Sequence, residues 1–189
     1  MKKWLALCAS GLLLSFQVVA NEYQATIEEF KSSPSTTEFF ENAYGYAVFP
    51  TIGKGGIVLG GAYGTGQVYL AGRPTGSVNL VQVSLGFQLG GQAFSQIVFL
   101  QDKRAYDAFT AGSFEFGAQA SAVALTLGAS AQAGSTGTGA AVGKEQSQAN
   151  YVGGFAVFTL AKGGLMYEAS IAGQKFNFQA AKANDNVAY

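Results

Sequence analysis

The chain has 189 residues, with eleven Lys and Arg against eleven Asp and Glu and no histidine. That balance carries no polybasic footprint for nucleic acid. Without imidazole there is no Ser-His-Asp triad, no Cys-His pair and no His-ligated metal site.

Lys2 and Lys3 precede "WLALCASGLLLSF", and the small residues Val18 and Ala20 stand just before the polar pair Asn21-Glu22. A basic start, an apolar run and small residues before a cut describe a secretory signal peptide. The run is short for a span of about 20 apolar residues. Residues 1–20 are therefore expected to be removed on export, to the periplasm or cell envelope. Cys8 follows bulky Leu7 with hardly any apolar run before it, which argues against lipidation there. Losing Lys2 and Lys3 leaves nine basic residues against eleven acidic ones, and no cysteine. Such a chain is stabilised by one core rather than by disulfides.

Residues 22–43 read as helical. Tyr23, Ile27 and Phe30 fall on one stripe; Pro34 interrupts; Ser35 with Glu38 three residues on forms a capping box, which directs Phe39, Phe40 and Ala43 to a core. From Tyr44 the pattern changes to short apolar runs broken by glycine: "YAVFP", "GIVLGGAYG", "GQVYLAG", "SVNLVQVSLGFQLGGQAF" and "QIVFLQ", then "SFEFGAQASAVALTL", "YVGGFAVFTL" and "GLMYEASIAGQKFNF". Val81, Val83, Leu85, Phe87 and Leu89 share one face, as do Ile57, Leu59, Gly61 and Tyr63. A helix over 102–111, with Asp102 as N-cap and Gly112 as stop, interrupts the strands. The Gly/Ser/Thr-rich run 134–150 reads as a long mobile loop and 181–189 as a flexible tail. The expected fold is α+β and mostly β. It is a strongly curved antiparallel sheet or barrel-like core, with short N-terminal helices and one inserted helix, in a single domain over 21–180.

One passage is written twice. "AVFPTIGKGGIVLGG" from Ala47 is echoed by "AVFTLAKGGLMYEAS" from Ala156. The repeat predicts two related hairpins, each turning at Lys-Gly-Gly, that pair and close the sheet. Lys54 and Lys162 would then converge on one rim. Gly55, Gly56, Gly163 and Gly164 would add backbone N–H groups that form an anion-binding nest. These six residues are the candidate lipid-binding site. In the alternative, both lysines are solvated turn residues that blunt edge pairing.

Other chemistry finds little support. "GAYGTG" precedes a strand-like segment rather than a helix, and the glycines before Lys144 lack P-loop spacing and are followed by Glu145. No nucleotide, metal or other cofactor is expected. Glu28, Glu29, Glu38 and Glu41 lie on helix surfaces, and Glu115 and Glu168 have no partner by sequence, so no enzyme is expected. An outer-membrane barrel is the competing architecture; the helical start and the lack of girdle tryptophans count against it.

Together, "NAYGYAVFPTIGKGGIVLGGAYGTGQVY", "VSLGFQLGGQAFSQIVFLQ" and "GSFEFGAQASAVAL" resemble the SYLF-domain family over roughly residues 36–178. The matching features are the lead-in ending at Pro50, the Lys54-x-Gly56 segment, and Gly60 with Gly64 and Gly66. They continue with Gly86-x-Gln88-x-Gly90-x-Gln92 and the Phe114–Gly117 strand. The resemblance implies a non-catalytic domain that binds phospholipid or a membrane surface, helped by an amphipathic N-terminal helix; some eukaryotic members also associate with actin. Two features depart from that pattern. Glu22, Glu28 and Glu29 outnumber Lys31 on the first helix, and the signal peptide separates the chain from cytosolic phosphoinositides and actin. The alternative function is a structural or interaction protein of the cell envelope without a specific lipid ligand.

Overall fold

A computed structural model describes residues 21–56, 59–85, 92–117, 124–127, 150–162, 171 and 173–181. Helix α1 spans residues 21–31 and α2 spans Pro34–Asn42. Ile27 and Phe30 of the α1 stripe are buried, as is Phe39 of α2. The break between the helices differs from the expected one. Pro34 opens α2 instead of interrupting it, because a fixed φ and a missing N–H suit the first helical turn. The N-cap is therefore Ser33, not Ser35, and it makes no side-chain capping bond. The Thr36 hydroxyl lies against the carbonyl oxygens of both Phe30 and Ser33, which ties the two helices at the corner.

Among the described residues, eight strands and one helix follow: β1 (Gly45–Gly56), β2 (Leu59–Leu70), β3 (Arg73–Leu85), β4 (Gln92–Leu100), α3 (Lys103–Thr110), β5 (Ser113–Glu115), β6 (Ala124–Leu127), β7 (Phe155–Lys162) and β8 (Gln174–Ala180). They form one sheet in the order β5-β8-β3-β2-β1-β4-β7-β6. Every pairing is antiparallel except the parallel edge pair β6–β7. The fold is thus α+β and mostly β, with the inserted helix where it was expected. Asp102 caps α3 by accepting from the Ala105 N–H at 2.8 Å.

The strand boundaries correct the sequence reading in three places. β2 runs unbroken through Gly64 and Gly66, which had separated two predicted strands. Lys54, Gly55 and Gly56 belong to β1 rather than to a turn. Among the described residues the two copies of the repeat do not pair, because β4 lies between β1 and β7. The first glycine result has a packing cause. A Cβ on Gly64 would sit 2.6 Å from Ile52, and one on Gly66 would sit 2.6 Å from the Phe49 ring. The bare backbone of β2 makes room for the large β1 side chains beside it, around the register shift between Phe49 and Ile52. The predicted signal peptide, most of the 134–150 loop, residues 182–189 and the segment 163–170 lie outside the described residues.

The sheet curls on itself. β8 and β4 are four strand steps apart, about 19 Å in a flat sheet. Yet the Gln96 and Gln174 side-chain amides exchange two hydrogen bonds, at 2.9 and 3.1 Å. β5 and β7 are six steps apart, and the Phe114 and Phe155 rings still meet at 4.8 Å. The concave side holds the main core, including Ala47, Phe49, Ile52, Val98, Val157 and Phe176. Helix α3 covers one end of it through Ala105 and Phe109. Among the described residues no backbone pairing joins the two margins, so the sheet is curled but not closed.

Candidate functional site

Among the described residues, the helices cover the convex side of the sheet only in part. Helices α1 and α2 bury Val48, Tyr69, Ile97, Phe99, Ala156 and Phe158 beneath Ile27, Phe30 and Phe39. Within this covered part, burial and then the neighbouring Tyr46 and Tyr23 hydroxyls push the Tyr69 phenol up to about 12. Its O–H donates to Gln67 Oε1 at 2.6 Å. Burial and then Glu38 likewise raise Tyr151 to about 12. Both phenols are held neutral as parts of the packing.

Elsewhere on this side, large side chains among the described residues are exposed. Tyr63 is 58% exposed, Val81 40% and Val83 73%. The register makes them one patch, because Tyr63 faces Val81 across β2–β3 and Gly61 faces Val83. Next to them β1 offers only Gly53 and Gly55 on this side, with Gly53 opposite Tyr63 and Gly55 opposite Gly61. A Cβ on Gly53 or Gly55 would meet nothing within 4 Å, and one on Gly61 only the Gln82 carbonyl at 3.6 Å. These glycines make room for nothing inside the chain, in contrast to Gly64 and Gly66. The result is a flat backbone strip beside a ridge of one aromatic and two branched aliphatic side chains.

Lysines stand at both ends of this surface. The register rows join Lys162, Ala93, Gly53, Tyr63, Val81 and Lys175 across six strands. Lys162 Nζ donates to Thr51 Oγ1 at 3.0 Å. Lys175 meets Glu115 at 3.4 Å, with both side chains more than half exposed. Exposed pairs of this kind contribute little, about 0–1 kcal/mol, so an incoming anion can displace either partner.

Of the residues singled out by sequence, the two lysines fall close together, but not on one surface. Lys54 pairs in register with Gln92 and Lys162 with Ala93, so both flank the same end of β4. Successive strand residues point to opposite faces. Lys54 is therefore on the concave side, in line with Ala62, Gln82 and Gln174, and Lys162 is on the convex side. Gly55 and Gly56 lie in β1; Gly163 and Gly164 lie outside the described residues. The exposed patch was missed, although its signal was present. Alternation put Val81 with Val83 and Gly61 with Tyr63, but the pairing of β2 with β3 that makes them neighbours is not visible in a linear pattern. Among the described residues no helix is long and apolar enough to cross a membrane.

Comparison with known proteins bears on what such a surface is for. A family model, "Las17-binding protein actin regulator" (Ysc84), matches residues 81–187. Beta cell expansion factor A of Aeromonas veronii is 29% identical over 157 residues, 80% of this chain and 52% of that protein. The chain thus spans about half the length of this curated relative.

Proposed function

The chain belongs to the Ysc84, or SYLF, family, and from that premise we propose that it is an exported, non-catalytic module that binds phospholipid at a membrane surface. The observation that carries this reading is the exposed patch of the convex face, with Tyr63, Val81 and Val83 between Lys162 and Lys175. Tyrosine suits a membrane interface because its ring is apolar and its hydroxyl polar. Burying a valine side chain fully contributes about 1.5–3 kcal/mol, and a lysine near an anionic surface about 1 kcal/mol. The sum is that of a reversible surface contact rather than an insertion. The export expected from residues 1–20 separates this chain from cytosolic actin, so lipid is the preferred partner over the one named in the family's description.

Vesicle flotation tests the reading. The full chain is expected to float with vesicles of mixed phosphatidylglycerol and phosphatidylcholine, and to float less as salt rises. Val83→Asp places a charge in the centre of the patch without touching the core, and should lower the floated fraction about tenfold. Phospholipid recovered by mass spectrometry from the purified exported protein would agree. No flotation with these vesicles, together with no recovered lipid, would overturn the proposal and favour a protein partner in the envelope.

A further inference from the structure

The exposed patch continues along the strands, and its chemistry changes in steps. On the convex side Gly61 and Val83 form one cross-strand row, and Tyr63, Val81, Lys175 and Glu115 form the next. Thr65, Asn79, Asn177 and Ser113 form a third row. Gln67, Ser77 and Gln179 form a fourth. Successive rows are two residues apart, about 7 Å along the strands. Their order is apolar, then aromatic with a cation, then two rows of uncharged amides and hydroxyls.

The third row is accessible and weakly engaged. Thr65, Asn177 and Ser113 are exposed, and Asn79 is half-buried. The Thr65 hydroxyl stands 3.4 Å from Asn79 Oδ1 and 3.5 Å from the Tyr63 hydroxyl. Both distances exceed the usual O–H···O range of about 2.5–3.0 Å, so neither contact holds its groups firmly. Amides and hydroxyls donate as well as accept, which suits a ligand with hydroxyls of its own. The third and fourth rows contain neither Lys nor Arg. A head group with further phosphates would find no counter-charge in them.

The order of the rows is the order of parts in a phospholipid. A hydrocarbon core of about 30 Å within a bilayer of about 40–45 Å leaves about 5–8 Å of interface on each side. That depth is one row spacing. With Tyr63 and Val81 at the hydrocarbon boundary, the Lys175 stem reaches outward to the phosphate. The third row then stands at head-group depth, and the fourth in water.

We propose that this surface selects phospholipids whose head group is an uncharged polyol, glycerol being the smallest, with Thr65, Asn79 and Asn177 binding the hydroxyls. The inference rests on the lipid-binding reading above and names the class of lipid taken there. Lys175 exchanges Glu115 for the lipid phosphate, and the apolar row faces the acyl chains.

Flotation at matched charge tests the two claims separately. Phosphatidylglycerol and phosphatidylserine have the same net charge at neutral pH, but the serine head group is itself ionised and has no free hydroxyl. The full chain is expected to bind phosphatidylglycerol vesicles about tenfold more tightly than phosphatidylserine vesicles of equal mole fraction in phosphatidylcholine. Asn79→Ala/Asn177→Ala removes two amides at constant charge. It should weaken binding to phosphatidylglycerol about tenfold and leave binding to phosphatidylserine unchanged. If that variant does not fold, Asn177→Ala alone, at an exposed position, should weaken the first about threefold and spare the second. Val83→Asp should weaken both alike. Equal binding of the parent to the two vesicles, or equal losses on both in the asparagine variants, would overturn the head-group proposal and leave lipid binding standing. No flotation with either vesicle would overturn both.

Discussion

Glycine has two opposed uses in β1 and β2, and they are separable by mutation. Gly66 lies against the Phe49 ring and the Val48 carbonyl, where a Cβ would stand at 2.6 and 2.8 Å. Gly66→Ala is expected to destabilise the fold by about 1–3 kcal/mol, the usual cost of overpacking a filled core. Gly55 is open: a Cβ there would meet nothing within 4 Å, and its φ is not positive. Gly55→Ala should leave the urea midpoint nearly unchanged or raise it slightly, since glycine loses more backbone freedom on folding. Equal losses at both sites would contradict this assignment. The sequence shows that both positions are glycine within a run of apolar residues. It does not show which side chain lies across the strand pair, and that alone decides the role.

Elements were more legible than their contacts. The α1 stripe of Ile27 and Phe30 and the Asp102 cap are local patterns, set within a few residues, and both appear as read. Pro34 was misplaced because proline stops a helix from inside but starts one at its first turn, and the difference depends on where the chain bends. The repeated Lys-Gly-Gly was legible as a repeat but not as a site. Lys54 and Lys162 end up on opposite faces because they pair with consecutive residues of β4, a parity that no single segment encodes. The helical cover of the convex face has a measurable consequence. The Tyr69 phenol is raised from 10.0 to about 12 by burial and neighbouring tyrosines, so the folded state holds its proton more tightly than the unfolded chain. Its contribution to stability is complete below about pH 10 and is lost as pH rises from about 10 to 12. Melting temperature should fall over that window, and the fall should be smaller in Tyr69→Phe, which keeps the ring and cannot ionise. Identical alkaline profiles for parent and variant would contradict the burial of this hydroxyl.

At the scale of the whole molecule, curling gives the sheet two surfaces with different work. The concave side holds the core and the amide pair. The convex side has a part sealed by α1 and α2 and a part where Tyr63, Val81 and Val83 face outward. The central claim is that this exposed part meets lipid, and one optical measurement addresses it directly. Beyond Cys8, residues 1–20 also contain Trp4, the chain's one tryptophan, so a Trp4→Phe background is dark for indole emission. Val83→Trp in that background places a single indole in the patch, at a position that is 73% exposed. On titration with phosphatidylglycerol-containing vesicles its emission is expected to shift to the blue and to become protected from an aqueous quencher, as the ring leaves water for the interface. Emission that stays red and fully quenchable while the protein floats with the same vesicles would contradict the claim, because lipid would then be bound by some other surface.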